Sequence, residues 1–568
     1  MAEYLSPGVY VEEFESGGKP MEGVGTSTAG LIGLAERGPV EGVPQLVTNF
    51  ADFKRTYGSF LSENEFGEYR FLAYAVEHFF INGGARCFVS RVAPASAKCS
   101  KAKVADLSFT AKNPGIWGDS ISIKIAPASK AKTQVFEALG SKKYRVKNAA
   151  GFNPGDIIVF VDGETTELNK IEKNQDNVLT FVNEFTADVT DDKILPTKTI
   201  STCEISVEIK YDDIVEFYDN VSFNIEAANY ISKRMAKSEL VCAEYSESGK
   251  TIVTPYASLG SEEASFVAVE FSGGSNGSVA DISAGDFIGV DNGAGKRTGI
   301  QSFLDNDVVA IMAVPGVTDP NVQLTLVAHC ENLGSRFAVL DIPKNAKKIQ
   351  DIIAHRDIFS SSYAALYHPW LQVFDPLDKK NIAIPPSGSI IGVFARSDNT
   401  RGVHKAPANE VVRACVGLDC QFNKGEQDIL NPKGVNLIRA FPGQGIRVWG
   451  ARTVSSDPSW KYVNVRRLFI FIEETIKANT NWAVFEPNDE ALWTRVQRTI
   501  SVFLTGMWRN GSLAGTSTDE AFFVNIGRNT MSQDDIDNGR LVCVIGVAPV
   551  KPAEFVIFRI TQKTGSAE

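Results

Sequence analysis

Thr28-Ala29-Gly30-Leu31-Ile32-Gly33-Leu34-Ala35 is a continuous apolar run holding two glycines, and its length suits one strand buried on both faces. Downstream, Asn49–Tyr57 opens on a capping asparagine and predicts a short helix. Phe66–Asn82 predicts a longer one. Phe71, Ala75, Phe79 and Leu72, Val76, Phe80 recur at i, i+4, and Gly83-Gly84 stops it. Cys87–Val92 then reads as a strand. Strand, helix, strand in this order predicts an α/β layer.

The same rhythm returns far along the chain. Val308–Val314, Arg336–Asp341 and Ala364–Tyr367 read as strands, and Val322–Leu333 and Lys344–His355 as helices. Val463–Ala478 is a helix with Leu468, Ile472 and Ile476 in register. Asp489–Arg509 is another, with Asn488 as its expected cap, Leu492, Val496, Ile500 and Leu504 on one stripe, and Asn510-Gly511 ending it. Leu541–Val547 and Phe555–Thr561 read as strands joined by a Pro549/Pro552 loop. At the other terminus Val9 and Val11 alternate with Tyr10 and Glu12, between Pro7-Gly8 and Gly17-Gly18. That is a short strand on a flexible arm, with no sequence-adjacent sheet to join.

Between these blocks the style changes. Val104–Ser275 holds short β-like runs, among them Ile121–Ile125, Ile157–Val161, Val178–Val182 and Ile205–Ile209, separated by turns such as Asn153-Pro154-Gly155 and Asp162-Gly163. It carries 17 basic and 26 acidic residues, a net of −9, whereas the other 396 residues carry 40 and 42. The acidic excess therefore sits in one mostly-β insertion, which the chain leaves through Gly273-Gly274-Ser275-Asn276-Gly277.

The totals set bounds. At about 150 residues per domain, 568 residues are three to four domains. A net charge of −11 argues against a nucleic-acid binder. No apolar run reaches the ~18 residues of a membrane span, so no membrane insertion is expected. Met1-Ala2-Glu3-Tyr4 offers no secretory signal. Eight cysteines without a C-x2-C pair suit free thiols in a reducing compartment.

Chemical motifs fall short one by one. Ser248-Gly249-Lys250-Thr251 ends like a P-loop, but Glu244 stands where its first glycine belongs and would repel phosphate. Gly289–Thr298 has Arg297 in place of the magnesium-binding hydroxyl, and Gly23-Val24-Gly25 lacks the third glycine of a dinucleotide fingerprint. His78, His329, His355, His368 and His404 form no metal-spaced pair, and Cys415 and Cys420 read as core thiols. His404 reads as part of an ordered structural loop, and no G-x-S-x-G elbow occurs. Neither an enzyme nor a cofactor or metal is indicated.

Structural motifs remain. They begin with Leu5-Ser6-Pro7-Gly8-Val9-Tyr10-Val11-Glu12-Glu13. They continue through Tyr367-His368-Pro369-Trp370, Pro385-Pro386-Ser387-Gly388, Ala395-Arg396 and Gly402-Val403-His404-Lys405-Ala406-Pro407-Ala408-Asn409. Gly434-Val435-Asn436, Val448-Trp449-Gly450-Ala451-Arg452-Thr453 and Tyr462-Val463-Asn464-Val465-Arg466-Arg467 follow. Phe485-Glu486-Pro487-Asn488, Leu492-Trp493 and Gly511-Ser512-Leu513-Ala514-Gly515 complete the set. In these blocks, over roughly residues 1–100 and 300–568, the chain resembles the contractile tail sheath proteins. The insertion carries little of the likeness beyond Asn113-Pro114-Gly115-Ile116-Trp117-Gly118.

The resemblance implies a structural subunit that stacks as helical rings around an inner tube and contracts from a metastable extended state. Partners would be further copies of itself, the inner tube protein, and baseplate and tail-terminator proteins. Assembly would take place in the bacterial cytoplasm. The expected fold is α/β (α+β) and multidomain. An arm, 1–28, joins a core domain at 363–568; 29–103 with 276–362 form an α/β middle domain; 104–275 is an outer mostly-β domain. Val9, Tyr10, Val11 and Glu12 at one end, and Phe555, Val556, Ile557, Phe558, Arg559 and Ile560 at the other, are the expected subunit-linking strands. Arg466, Arg467 and Lys477 on the Val463–Ala478 helix are the expected tube contact, pointing away from the core. Both end strands on one chain favour a phage tail or phage-like injection particle over a two-chain type VI sheath. A surface-decorating adhesin using the acidic insertion is the alternative.

Overall fold

The Thr28–Ala35 run forms β1 (Ala29–Leu34), buried at every position. In the computed structural model, which describes residues 21–104, 106–162, 165–185, 198–246 and 266–557, β1 lies inside a nine-stranded sheet. The remaining strands are β2 (Gln45–Val47), β3 (Cys87–Val92), β4 (Ile311–Ala313), β5 (Phe337–Asp341), β6 (Ala364–His368), β7 (Glu410–Val411), β8 (Val435–Phe441) and β9 (Gly445–Val448). Their order is β2-β3-β1-β4-β5-β6-β8-β9-β7, and β3 through β8 are parallel. Alternate residues feed two cores. Leu31, Ile311 and Phe337 point to one, and Ile32, Met312 and Ala338 to the other. Helices cover both faces, which is why these strands read as unbroken apolar runs.

The flanking helices are α1 (Phe50–Tyr57), α2 (Leu72–Asn82), α3 (Pro320–Leu333), α4 (Ile349–Arg356) and α5 (Ser387–Arg401). Asn49 caps α1, its side chain accepting the Asp52 N–H, and Gly83 ends α2 in the left-handed region. The single helix expected over 66–82 is interrupted. Gly67, at φ 53°, closes a short turn of helix at Glu63–Phe66, and α2 starts only at Leu72. Helix α5 carries almost no amphipathic signal because it is buried nearly all round. Gly388 and Gly392 allow α2 to press against it. A Cβ on either would come within 2.5 Å of the α2 backbone. Asp341, at the end of β5, holds the start of α5. It accepts the Ser387 N–H (2.9 Å), the Ser387 hydroxyl (2.7 Å) and the Gly316 N–H (3.0 Å). Burial pushes its carboxyl up to about 6 against the pull of those donors.

The boundary expected at 362/363 falls inside this sheet. β5 and β6 are bonded neighbours, from Ala338 opposite Ala364 to Asp341 opposite Tyr367, so the α/β body continues to Val448. Beyond it come α6 (Val463–Asn479), α7 (Glu490–Arg509), β10 (Phe522–Ile526) and β11 (Cys543–Val547). These share a core of Leu468, Ile472, Leu492, Val496, Ile500 and Leu504. Asp489, not Asn488, caps α7, accepting the Leu492 N–H at 2.9 Å. Asn488 instead accepts the Trp493 indole N–H.

The insertion is mostly β, as its short β-like runs indicate, with a short helix at Ile231–Met235. Bridges Lys98 to Ser275 and Lys101 to Ser272 form its neck. It holds two cores of its own. Three- and four-stranded sheets pack around Phe109, Ile123 and Val207. A closed six-stranded barrel is filled by Tyr144, Phe160, Phe181 and Phe185.

Candidate subunit-linking site

β10 and β11 form an isolated antiparallel pair, with Phe523 opposite Gly546 and Val524 opposite Ile545. Among the described residues each strand has one edge without a strand partner. α7 supports the inner face, where Val524 is buried and the Gln497 amide donates to the Val524 carbonyl at 2.8 Å. On the outer face Phe523 lies over Gly546, where any Cβ would meet the ring at 2.2 Å. Two-stranded sheets are marginal alone, and unpaired edges are templates for further strands.

After β11 the chain crosses Leu513 and Ala514 and reaches Glu554. Glu554 is latched. Both its oxygens meet Arg452 at 2.7 Å, Tyr462 donates at 3.0 Å and Asn431 at 2.8 Å, and Lys461 lies at 3.5 Å. Burial alone would raise its carboxyl, but these hydrogen bonds and the Arg452 charge bring it down to about 2. Arg452 is itself placed by Asn436, whose side-chain oxygen accepts the Arg452 N–H (2.7 Å) while its amide donates to the Arg452 and Leu366 carbonyls. Two of the quoted motifs thus meet to hold the C-terminal arm. Beyond the latch, Phe555, Val556 and Ile557 are about three-quarters exposed and lie in no strand. Among the described residues these three have no strand partner.

The N-terminal segment enters beside α6, antiparallel to it. Glu22 and Asn479 exchange two hydrogen bonds, the Val24 N–H donates to Thr475, and the Thr26 hydroxyl donates to Asp398 (2.7 Å). Asn479 ends α6, whereas Tyr462 and Lys461, which hold Glu554, precede it. The 17 residues of α6 span about 25 Å. The described ends of the two arms, at Glu22 and Glu554, are therefore held at opposite ends of one helix.

Of the expected linking residues, Val9, Tyr10, Val11, Glu12, Phe558, Arg559 and Ile560 lie outside the described residues. The three residues expected to point from α6 toward a tube separate. Arg467 is buried in a two-pronged pair with Asp398 (2.9 and 2.6 Å) and also donates to the Thr26 carbonyl. Arg466 is buried too, its guanidinium 3.4 Å from the Trp460 ring centre and bonded to Ser362. The outward orientation expected of both is thus corrected. The first half of α6 is wedged between the body core, at Val463 and Ile470, and the C-terminal core, at Leu468 and Ile472, and has no solvent face. Lys477 is exposed, beside Glu474 at 3.4 Å. Glu554 and Asp398 escaped the sequence reading, because nothing in it marks partners 102 and 69 residues away.

The five histidines are scattered, each with its own neighbour: His78 with Ser389, His329 with Arg336, His355 with Gln323, His368 with Cys420, and His404 with Ser512. Cys415 bonds the Gly417 carbonyl and is not paired with Cys420. Arg297 is spent on Asp291 and Asp305. Among the described residues no group of three or more His, Cys, Asp or Glu could hold a metal ion, and no helix is long and apolar enough to cross a membrane.

Residues 293–454 match the family described as the phage tail sheath protein central domain, and 455–563 the phage tail sheath C-terminal domain. The tail sheath protein of Escherichia phage P2 is 25% identical over 292 residues, 49% of this chain and 71% of that protein. Two solved structures share the fold over almost the whole chain. One is the sheath complex of the extracellular contractile injection system PVC in its contracted state (22% identity, TM-score 0.52, 99% of each chain). The other is the contracted helical sheath of the anti-feeding prophage (21%, 0.52, 98% of this chain and 99% of that one).

Proposed function

The chain belongs to the contractile tail sheath family, and from that premise we propose that α6 is the axis along which subunits are joined. The chain is the structural subunit of a sheath that polymerises helically and contracts. The observation that carries the reading is the anchoring of the two arms, at Glu22 and Glu554, at opposite ends of α6, beside a two-stranded sheet whose outer edges are open among the described residues. Val9–Glu12 of one subunit and Phe555–Ile560 of another would add strands to that sheet. Main-chain hydrogen bonds make such a joint, and the arms flex while the ladders persist. With arms anchored at opposite ends the contact is head-to-tail, which propagates into an open helix. A bias of a few kcal/mol per subunit toward the contracted state suffices to drive the change.

Within this reading 98–275 projects outward as a decoration on the body, and an inner tube and a baseplate are the further partners. The exposed end of α6, at Lys477, is the part of the expected tube contact that a tube could reach, and Arg466 and Arg467 shape it from inside. The particle is a phage tail or phage-like injection device, built in the bacterial cytoplasm. Electron microscopy of the purified chain tests the reading. Tubes or stacked rings are expected. Deleting residues 1–15, or everything from Phe555, should leave a folded subunit that forms neither. Ordinary long tubes from the truncated chains would remove strand exchange as the joint.

A further inference from the structure

Phe485 sits at the tip of the loop joining α6 to α7. Its backbone is left-handed (φ 67°) and its side chain is fully exposed. A bulky residue at that φ is an outlier, and a phenylalanine left in water forgoes the burial that normally holds it. Val484 beside it is 62% exposed. The loop beneath is firmly built. The Ala483 N–H donates to Thr480 and the Asp489 N–H to Pro487. Arg495 stacks on Trp482 at 4.5 Å and pairs with Glu486 at 2.9 Å. Asn488 is held between the Trp493 indole and the Arg540 carbonyl. A strained, exposed apolar tip on a braced base has the form of a preorganised interface anchor.

At the other end of α6 lies a groove of about 1030 Å³, bounded by Tyr462 and the C-terminal arm. Phe441 and Trp449 line it, their rings 4.5 Å apart. Lys424, Arg439 and Lys551 also line it, and Lys424 and Lys551 have no ion-pair partner among the described residues. Of its two carboxylates, Glu554 is taken by Arg452 and Lys461, leaving Asp428. The tip is the complement: two apolar side chains, with Glu490 as the nearby acid left over once Glu486 pairs with Arg495 and Asp489 caps α7. The length of α6, about 25 Å, separates the two, so a subunit cannot fill its own groove. The tip stands beside the N-terminal arm and the groove beside the C-terminal arm, so one head-to-tail neighbour pair could engage both.

We propose that the Val484–Phe485 tip of one subunit seats in the Phe441/Trp449 groove of a second copy, with Glu490 facing the Lys424, Arg439 and Lys551 cluster. This rests on the sheath reading and adds a side-chain joint to the strand joint.

The test uses full-length chain with a photo-crosslinking phenylalanine at position 485, polymerised from equal parts heavy-isotope and unlabelled subunits. Mixed-isotope crosslinks from 485 to peptides within 424–451 or 550–556 are expected. Polymers whose crosslinks run elsewhere on a second copy, run to an inner tube protein added to the mixture, or fail to form overturn the contact while leaving the sheath reading intact. Unmodified chain that never polymerises overturns both. Phe485→Ser should raise the concentration needed for polymerisation about tenfold, and the Lys424→Glu/Lys551→Glu pair should do the same. The melting temperature of the free Phe485→Ser subunit should stay within a few degrees, since an exposed side chain contributes little to the fold. Polymerisation of either variant at the ordinary concentration would sink the proposal.

Discussion

The α/β body and the β insertion bury their cores in opposite ways. The body stacks parallel strands between helices, so its strands are apolar on both faces and its sheet joins segments as distant as Ala29 and Val448. The insertion closes small sheets and a barrel on themselves and meets the body at a two-bridge neck, where Arg91 also donates to the Pro114 carbonyl (2.8 Å) and Arg37 lies over the Tyr211 ring (4.6 Å). The family matches begin at 293 and run to 563, outside the insertion. Everything that aims the arms, from Asp398 and Arg467 to Arg452 and Glu554, also lies outside it. A self-contained unit on a narrow neck can change without disturbing the joint. A residue in the body is coupled to partners throughout the sheet.

The strongest way to break that comparison is Asp398→Ala. It strands Arg467, 4% exposed, without its carboxylate between the body and C-terminal cores. Losing one partner of a buried pair costs about 3–5 kcal/mol. Calorimetry should show the body transition falling while an insertion transition stays in place. A common shift of all transitions would mean that the two regions unfold as one.

The reciprocal change is Phe160→Ala in the barrel core, at a cost of about 3 kcal/mol. That loss should appear only in the insertion's transition, with polymerisation unchanged. Replacing 98–275 by a short linker should likewise leave assembly intact. Excised chains that aggregate or stay monomeric would put the insertion inside the frame. The structure also moves the cut. The bridges at Lys98 and Lys101 set it six residues before the Val104 suggested by the change in composition.

Glu554→Gln probes the latch. It keeps the shape and removes the charge, so about 2 kcal/mol of charge-assisted hydrogen bonding is weakened. Assembly should suffer more than the melting temperature of the body. The pH sense follows from a carboxyl depressed to about 2. The stability it contributes is complete above its unfolded value, near 4.5, and is lost as pH falls toward about 2. Protease nicking of the arm should therefore rise between pH 4.5 and pH 2 in the parent and be higher throughout in the variant. Identical nicking in both would dismiss the latch.

What could be read in advance divides along the same line. β1, β3 and the stripe of α7 were legible because local periodicity and caps decide them. The strands expected in the arms fall largely outside the described residues, and Phe555–Ile557 lie in no strand. Helix α5 was not legible. Burial on all sides erases the amphipathic period, and only Gly388 and Gly392 hint at a close helix neighbour. Nor was the reach of the sheet to Val448, since β5 and β6 join across a boundary that composition does not mark. The latch needs Arg452 and Glu554 side by side, which only the tertiary fold supplies.

The smallest expected effect concerns the tube. The reading of α6 as a charged face depended on Arg466, Arg467 and Lys477 sharing one orientation. The structure leaves Glu473, Lys477 and Ala478 exposed and buries both arginines. Charge reversal at Arg467 would report on the Asp398 pair, not on a tube, so the triple change cannot isolate the contact. Lys477→Glu can. Its partner Glu474 is one helical turn away, and such a surface pair is worth about 0–1 kcal/mol, so the subunit should melt almost unchanged. Repeated around a tube, a small polar contact can hold an extended sheath and still release it. Lys477→Glu should therefore reduce the yield of extended, tube-filled particles while empty contracted polymers still form, with salt weakening the parent in the same direction. Full yields of extended particles from this variant would move the tube contact away from α6.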